Sequence, residues 1–120
     1  MSIEIFLKDF FNEKLDAPVY LEKPNGLMQP FVVIDVTGVR EIYKGVYYCT
    51  AALQSYSHSK YEAEELNRAV MDAAEHLRDM MEVGGASLDT YTPFNDIVRK
   101  IYRYQAVYNI VFYDEIGGTE

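Results

Sequence analysis

The most constraining stretch of the chain is a capped, striped helix signal after residue 58. Ser59-Lys60-Tyr61-Glu62 has the spacing of a capping box, in which the serine accepts from the helix start and the glutamate reaches back. Leu66, Val70, Ala73, Leu77 and Met80 then recur at intervals of 4, 3, 4 and 3, one apolar stripe of a 3.6-residue period. Glu64, Asn67, Arg68, Asp72, Glu75 and Asp79 fall mostly off it. The spacing predicts a helix to about Glu82, with Gly84-Gly85 as its stop. A helix with one apolar stripe must bury it against something else, and the flanking segments have the two-residue period of strands.

Residues 46–56 place Tyr47, Cys49, Ala51, Leu53 and Ser55 on one face and Val46, Tyr48, Thr50, Ala52, Gln54 and Tyr56 on the other. The first set, small and apolar, is the expected core face. Residues 98–114 alternate likewise, with Tyr102, Tyr104, Ala106, Tyr108, Ile110 and Phe112 on one face. Phe31 to Val36 is β-branched and reads as a central strand, and residues 18–22 as a short one. Between them Lys23-Pro24-Asn25-Gly26 is turn chemistry. Residues 37–45 read as a polar loop or an extended hairpin tip, residues 86–92 as a strand, and Pro93 to Asp96 as a turn.

Ser2 can cap an amphipathic helix over residues 3–15, built on Ile3, Phe6, Leu7, Phe10, Phe11 and Leu15 and ended by Ala17-Pro18. The order helix, three strands, helix, two strands predicts an α+β fold. Its sheet is mixed or antiparallel, with the long helix packed on one face and the short N-terminal helix beside it. With 120 residues and no linker or repeat, residues 1–120 read as a single domain, of which 115–120 is expected to be a frayed tail.

Composition removes several functions. The chain has 11 Lys plus Arg against 19 Asp plus Glu, a net charge of −8, which disfavours binding to polyanionic nucleic acid or lipid surfaces. Cys49 is the only cysteine, so no intrachain disulfide forms, and a reducing compartment is the simplest setting. No basic segment precedes an apolar run at the N-terminus, and no run approaches the ~20 residues a membrane helix needs.

The chemistry-bearing residues are sparse. His58 lies between serines but lacks an orienting acid, so it reads as part of a helix-capping loop. His76, with Asp72 and Asp79 near one helix face, has the spacing for a weak metal ion, but by residue type the three read as a solvated acidic face. Cys49 in mid-strand reads as a buried small residue. Neither glycine pair matches a phosphate-cradling loop. Tyr102, Tyr104 and Tyr108 with Arg99, Lys100 and Arg103 have the composition of a base-stacking platform, but the net charge favours packing in core and interfaces. No acid/base pair occurs at a recognisable spacing, so no enzyme is expected, and no cofactor or metal.

Several segments in this order resemble one family. They are the N-terminal amphipathic helix; Ala17-Pro18-Val19-Tyr20; Pro30-Phe31-Val32-Val33-Ile34; and a long strand ending Leu53-Gln54-Ser55-Tyr56-Ser57. A helix with Ser59, Ala63 and Leu66 follows, then a late strand Ile101-Tyr102-Arg103-Tyr104-Gln105-Ala106-Val107-Tyr108. Over residues 3–112 this pattern is similar to the tail terminator, or tail completion, proteins of long-tailed bacteriophages and prophages. The resemblance implies an α+β protomer that assembles with copies of itself into a hexameric ring in the virion, at the head-proximal end of the tail. Such a ring caps the tail tube protein, stops its polymerisation and meets the head-completion protein, with DNA only as cargo passing through the lumen.

A ring needs unlike surfaces that meet. Tyr47, Tyr48, Arg103 and Tyr104 are the expected ring contacts, and Arg40, Glu41 and Lys44 the expected mobile loop facing tube or connector. Alternatives of other classes are a different head-tail joining or tail tube component, or a non-viral soluble ligand-binding domain.

Overall fold

The computed structural model describes residues 2–26, 30–96 and 98–113. Helix α1, Ile3–Lys14, starts where Ser2 Oγ accepts from the Ile5 amide at 3.1 Å and buries Ile3, Phe6, Leu7, Phe10 and Phe11. Five strands follow the expected order: β1 Val19–Tyr20, β2 Phe31–Tyr43, β3 Val46–Ser57, β4 Val83–Asp96 and β5 Ile101–Tyr113. Helix α2, Lys60–Ala74, lies between β3 and β4 and runs into a 3₁₀ segment, α3, Glu75–Asp79. The strands form one sheet in the order β1-β2-β3-β5-β4, in which only β1 pairs in parallel. The fold is therefore α+β with a mixed sheet, as the sequence order implies.

Both helices sit on the same face of this sheet. The core joins Leu7, Phe10 and Phe11 of α1 and Val70, Ala73 and Ala74 of α2 to Val32, Ile34, Cys49, Ala51, Leu53, Ala106, Ile110 and Phe112. The small residues Cys49, Ala51 and Ala106, all 0% exposed, let the helices approach the middle strands closely. Cys49 is thereby sealed, and burial pushes its thiol up to about 12 from the ordinary 9.0. Tyr108 faces the helices too, and its hydroxyl is pushed up to about 12, first by burial and then by the Glu75 and Asp72 carboxylates.

Four local expectations are settled or corrected. Residues 37–45 are the extended hairpin tip rather than the polar loop: β2 continues to Tyr43 and Lys44-Gly45 turn the chain, with Gly38 and Gly45 at positive φ (64° and 78°) accommodating a bulge and the tight turn to β3. Residues 93–96 are also strand; Pro93 is tolerated because β4 is an edge strand, with no ladder on its outer side among the described residues. The α-helix stops at Ala74, and Gly84-Gly85 belong to β4, where a Cβ on Gly84 would lie 2.7 Å from the Tyr113 hydroxyl oxygen. The helical run continues as α3 to Asp79 and ends where Met80 turns extended. The capping box closes through an intermediary: Ser57 Oγ accepts from the Ser59 amide and donates to Glu62 Oε1 at 3.0 Å. The expected tail at 115–120 lies outside the described residues.

Candidate assembly surface

The opposite face of the sheet is covered by no helix or strand among the described residues. It is the face of Val33, Tyr48, Thr50, Ala52, Gln54 and Tyr56, and of Arg103, Gln105, Val107, Asn109 and Val111. Alternation along a strand decides this: once odd positions of β3 meet the helices, even positions must face away. Water reaches the face, yet its side chains are mostly half-buried, because neighbours across the strands shield each other.

Its polar groups are paired sideways. Tyr48 Oη and Thr50 Oγ1 both donate to Asn109 Oδ1, at 2.8 and 3.4 Å. Further along, Arg103 Nη1 donates to Tyr56 Oη (3.3 Å), Tyr56 Oη donates to Gln54 Oε1 (3.3 Å), and Gln54 Nε2 donates to Gln105 Oε1 (3.1 Å). Such a relay has each donor polarised by the next and fixes side chains that would otherwise sweep freely in water.

At the end near the β4–β5 turn, the relay meets a row of rings that crosses the whole sheet. Tyr20 of β1 packs edge-on to Phe31 of β2, and Phe31 stacks on Tyr56 of β3 with centroids 4.9 Å apart. The Arg103 guanidinium of β5 follows, 5.8 Å from the Tyr56 centroid and 4.6 Å from that of Phe94 on β4. Lys23 brings its ammonium to 5.2 Å from the same Tyr56 ring. Register builds the row, since Phe31 faces Tyr56, Tyr56 faces Arg103, and Arg103 faces Phe94. Phe31, Val33 and Tyr56 make a second small core here, with Tyr20 and Ile101 against it.

The expected ring contacts divide between the two faces. Tyr48 and Arg103 lie on the uncovered face. Tyr47 stacks on Phe112 at 5.6 Å on the helix side, and Tyr104, 8% exposed, faces α2. Adjacent residues of a strand point oppositely, so neither Tyr47-Tyr48 nor Arg103-Tyr104 forms one contact surface.

The expected mobile loop becomes an ordered hairpin end. The Arg40 guanidinium lies 4.5 Å from the Tyr48 centroid, Glu41 Oε2 accepts from the Gly45 amide at 3.0 Å, and Lys44 sits in the turn. Val39, Ile42 and Tyr43 beside them are exposed. Phe31, Tyr56, Phe94 and Lys23 were not legible as one surface. Of the four, only Tyr56 falls by alternation on the face away from the core; Lys23 and Phe94 lie in segments that read as turns, and the register that aligns Phe31, Tyr56 and Phe94 comes from pairing between strands far apart in the chain.

Both edges of the sheet are open over long stretches. Among the described residues, β1 covers β2 only at Val32 and Val33, and β4 has no outer neighbour. Exposed apolar residues punctuate these edges: Val39 and Ile42 on β2, Leu88, Tyr91 and Phe94 on β4.

The residues with chemical potential stand apart. His58 Nδ1 donates to the Lys100 carbonyl at 3.2 Å, tying the β4–β5 turn to the start of α2. His76 Nδ1 donates to Asp79 Oδ2 at 3.3 Å on an exposed turn. Among the described residues no three His, Cys, Asp or Glu side chains converge as metal ligands, and no helix is long and apolar enough to cross a membrane. Comparison with protein-family models and with curated proteins finds no match to this chain.

Proposed function

We propose that this protein is a structural subunit of a phage tail, which assembles as a hexameric ring on the end of the tail tube. The ring ends tube polymerisation and offers its other side to the head-completion protein, while DNA passes through the lumen. The observation that carries the reading is the one-sided sheet: among the described residues helices cover one face, and the other is ordered, half-buried and left open, between a β2 edge paired only at Val32 and Val33 and an unpaired β4 edge. A closed ring needs a surface that meets a different surface of the next copy. This protomer has such unlike surfaces in its helix layer and open face, and in its β2 and β4 edges.

Two further properties support the reading. The chain is acidic, at −8 per copy. A lumen walled by such copies gives passing DNA little of the counterion release that holds DNA on basic proteins. The β2–β3 hairpin end, with Arg40, Lys44 and the exposed Val39, Ile42 and Tyr43, suits contact with the tube or the connector.

Deletion of the gene tests the assignment by electron microscopy. A tail terminator mutant is expected to make overlong tubes without heads. Tails of normal length left unjoined to heads would move the protein to the head-tail connector instead.

A further inference from the structure

Helix α2 packs chiefly on β3 and β5, while β4 meets α3. The sheet therefore extends past α2 on the side of the β4 edge, and a groove of about 200 Å³ lies between them. Register builds its floor. Tyr104 faces the helices, and Tyr91 pairs with Ala106 on the same side of the sheet, so both rings line the groove. Helical spacing builds its wall, because Glu64, Asn67 and Met71 recur three and four residues apart on one side of α2, with Asp72 beside them.

Asn67 gives the groove its chemistry. It is 4% exposed, its Nδ2 donates to Met71 Sδ at 3.4 Å, and its Oδ1 has no hydrogen-bond partner. The reverse orientation of the amide would turn its oxygen onto the thioether, which has no proton to give. A sealed carbonyl oxygen is satisfied by a ligand that brings an N–H. Glu64 and Asp72 are exposed on either side of Asn67 along the helix, and neither makes a salt bridge or hydrogen bond among the described residues. Arg68 also lines the groove, but its guanidinium is drawn off to Glu65 Oε2 at 2.7 Å.

We propose that this groove binds a linear polyamine. One ammonium pairs with Glu64 and another with Asp72, an N–H between them donates to Asn67 Oδ1, and the aliphatic stem lies along Met71 and the faces of Tyr91 and Tyr104. Length decides for this class. Glu64 and Asp72 stand about 12 Å apart along the helix axis, so no single cation pairs with both, whereas a chain charged at its two ends does. The same separation excludes one metal ion, whose ligands must converge on a single centre. The groove is smaller than the roughly 300–1,000 Å³ of drug-sized sites, which suits an unbranched chain, and its carboxylates repel phosphate. The inference is independent of the ring proposed above.

Titration of the ¹⁵N-labelled full chain with spermidine at low ionic strength tests it, with affinities measured by calorimetry. The Asn67 side-chain amide resonance is expected to move and to saturate at one equivalent bound. Asn67→Leu should weaken binding at least about tenfold, because the lost hydrogen bond is to a charged donor. Glu64→Gln and Asp72→Asn should each weaken it about two- to fivefold; both positions are exposed, so these variants fold normally. Putrescine is too short to reach both carboxylates and should bind more weakly than spermidine. Arg68→Gln should tighten binding more than Arg78→Gln, which changes the net charge equally but lies outside the groove.

An Asn67 amide that does not move overturns the site. So does an equal response to magnesium chloride at matched charge, which reduces the groove to general surface acidity. N-acetyl-lysine methylamide binding as tightly as spermidine overturns the polyamine and makes the groove a seat for a partner's side chain. Unchanged affinity in the Glu64→Gln/Asp72→Asn double variant, or equal effects of Arg68→Gln and Arg78→Gln, overturns it without appeal to Asn67→Leu. Failure here is separable from failure of the ring: a protein that ignores spermidine yet caps tubes loses only this site, and one that binds spermidine yet never caps tubes loses only the ring.

Discussion

The two faces of β3 follow one chain and obey different rules. Cys49, Ala51, Leu53 and Ser55 are sealed beneath two helices, with 1% exposure or less. Tyr48, Thr50, Ala52 and Gln54, one residue away in each case, are half-buried under nothing but their lateral neighbours. The first face gains its stability from volume: close-packed apolar atoms removed from water. The second gains order without cover. Most of its side-chain polar groups are hydrogen-bonded along and across strands, and its rings stack in a row, so it is an ordered surface. A face built this way loses little entropy on meeting a partner, which suits an assembly subunit.

The largest expected effect lies on the sealed face. Leu53→Ala or Ile110→Ala removes a side chain at 0–1% exposure, and should cost about 2–5 kcal/mol in urea unfolding. Assembly should fall only in proportion to folding. If such a variant were as stable as wild type, the distinction between the faces would fail at its root.

Helix initiation comes next. Ser59→Ala removes the side-chain oxygen that accepts from the Glu62 amide at 3.3 Å and should cost ~1 kcal/mol. On the open face, Gln54→Ala breaks the relay between Tyr56 and Gln105 and should cost roughly 0.5–1.5 kcal/mol, because water can replace the lost partners. Its effect on assembly should exceed its effect on stability, the reverse of Leu53→Ala. The smallest expected change in stability is for Lys44→Ala at the hairpin turn, within about 0.5 kcal/mol. A defect in tube or connector binding by this otherwise stable variant would sharpen the comparison further.

Alkali should also separate the faces. Cys49 and Tyr108 on the sealed side both have raised values of about 12, against ordinary values of 9.0 and 10.0. The unfolded chain therefore gives up these protons first. Stability from this source is complete below pH 9 and falls as pH rises from 9 to 12. Cys49→Ala should flatten the lower part of that decline in denaturation curves measured across this range. In the folded protein at pH 8 the thiol should resist alkylation and become reactive only in denaturant.

The sealed face was legible in the sequence because its cause is periodic. The 4, 3, 4, 3 stripe of α2 and the odd positions of β3 each point to burial without knowledge of any partner strand. The hairpin ends were less legible. Residues 37–45 contain Thr37, Gly38, Arg40, Glu41 and Lys44, which look like loop, yet Thr37, Arg40 and Glu41 pair with β3 because tertiary ladders override polar composition on an exposed edge. Pro93 looks like a turn until β4 is known to be an edge. The open face was the least legible. Arg103 and Tyr48 stood out by residue type, but Phe31, Tyr56 and Phe94 join them through register, which depends on strands far apart in the chain. For the same reason Tyr47 and Tyr104, grouped with them by sequence proximity, belong to the other side.

The most direct test of the central claim is tube growth in vitro. Tail tube protein is polymerised with and without the purified protein, and tube lengths and ends are imaged by electron microscopy. The account predicts six-fold rings with an open centre on one end of each tube and elongation arrested in proportion to the protein added. Unchanged length distributions with bare ends at saturating protein would contradict it.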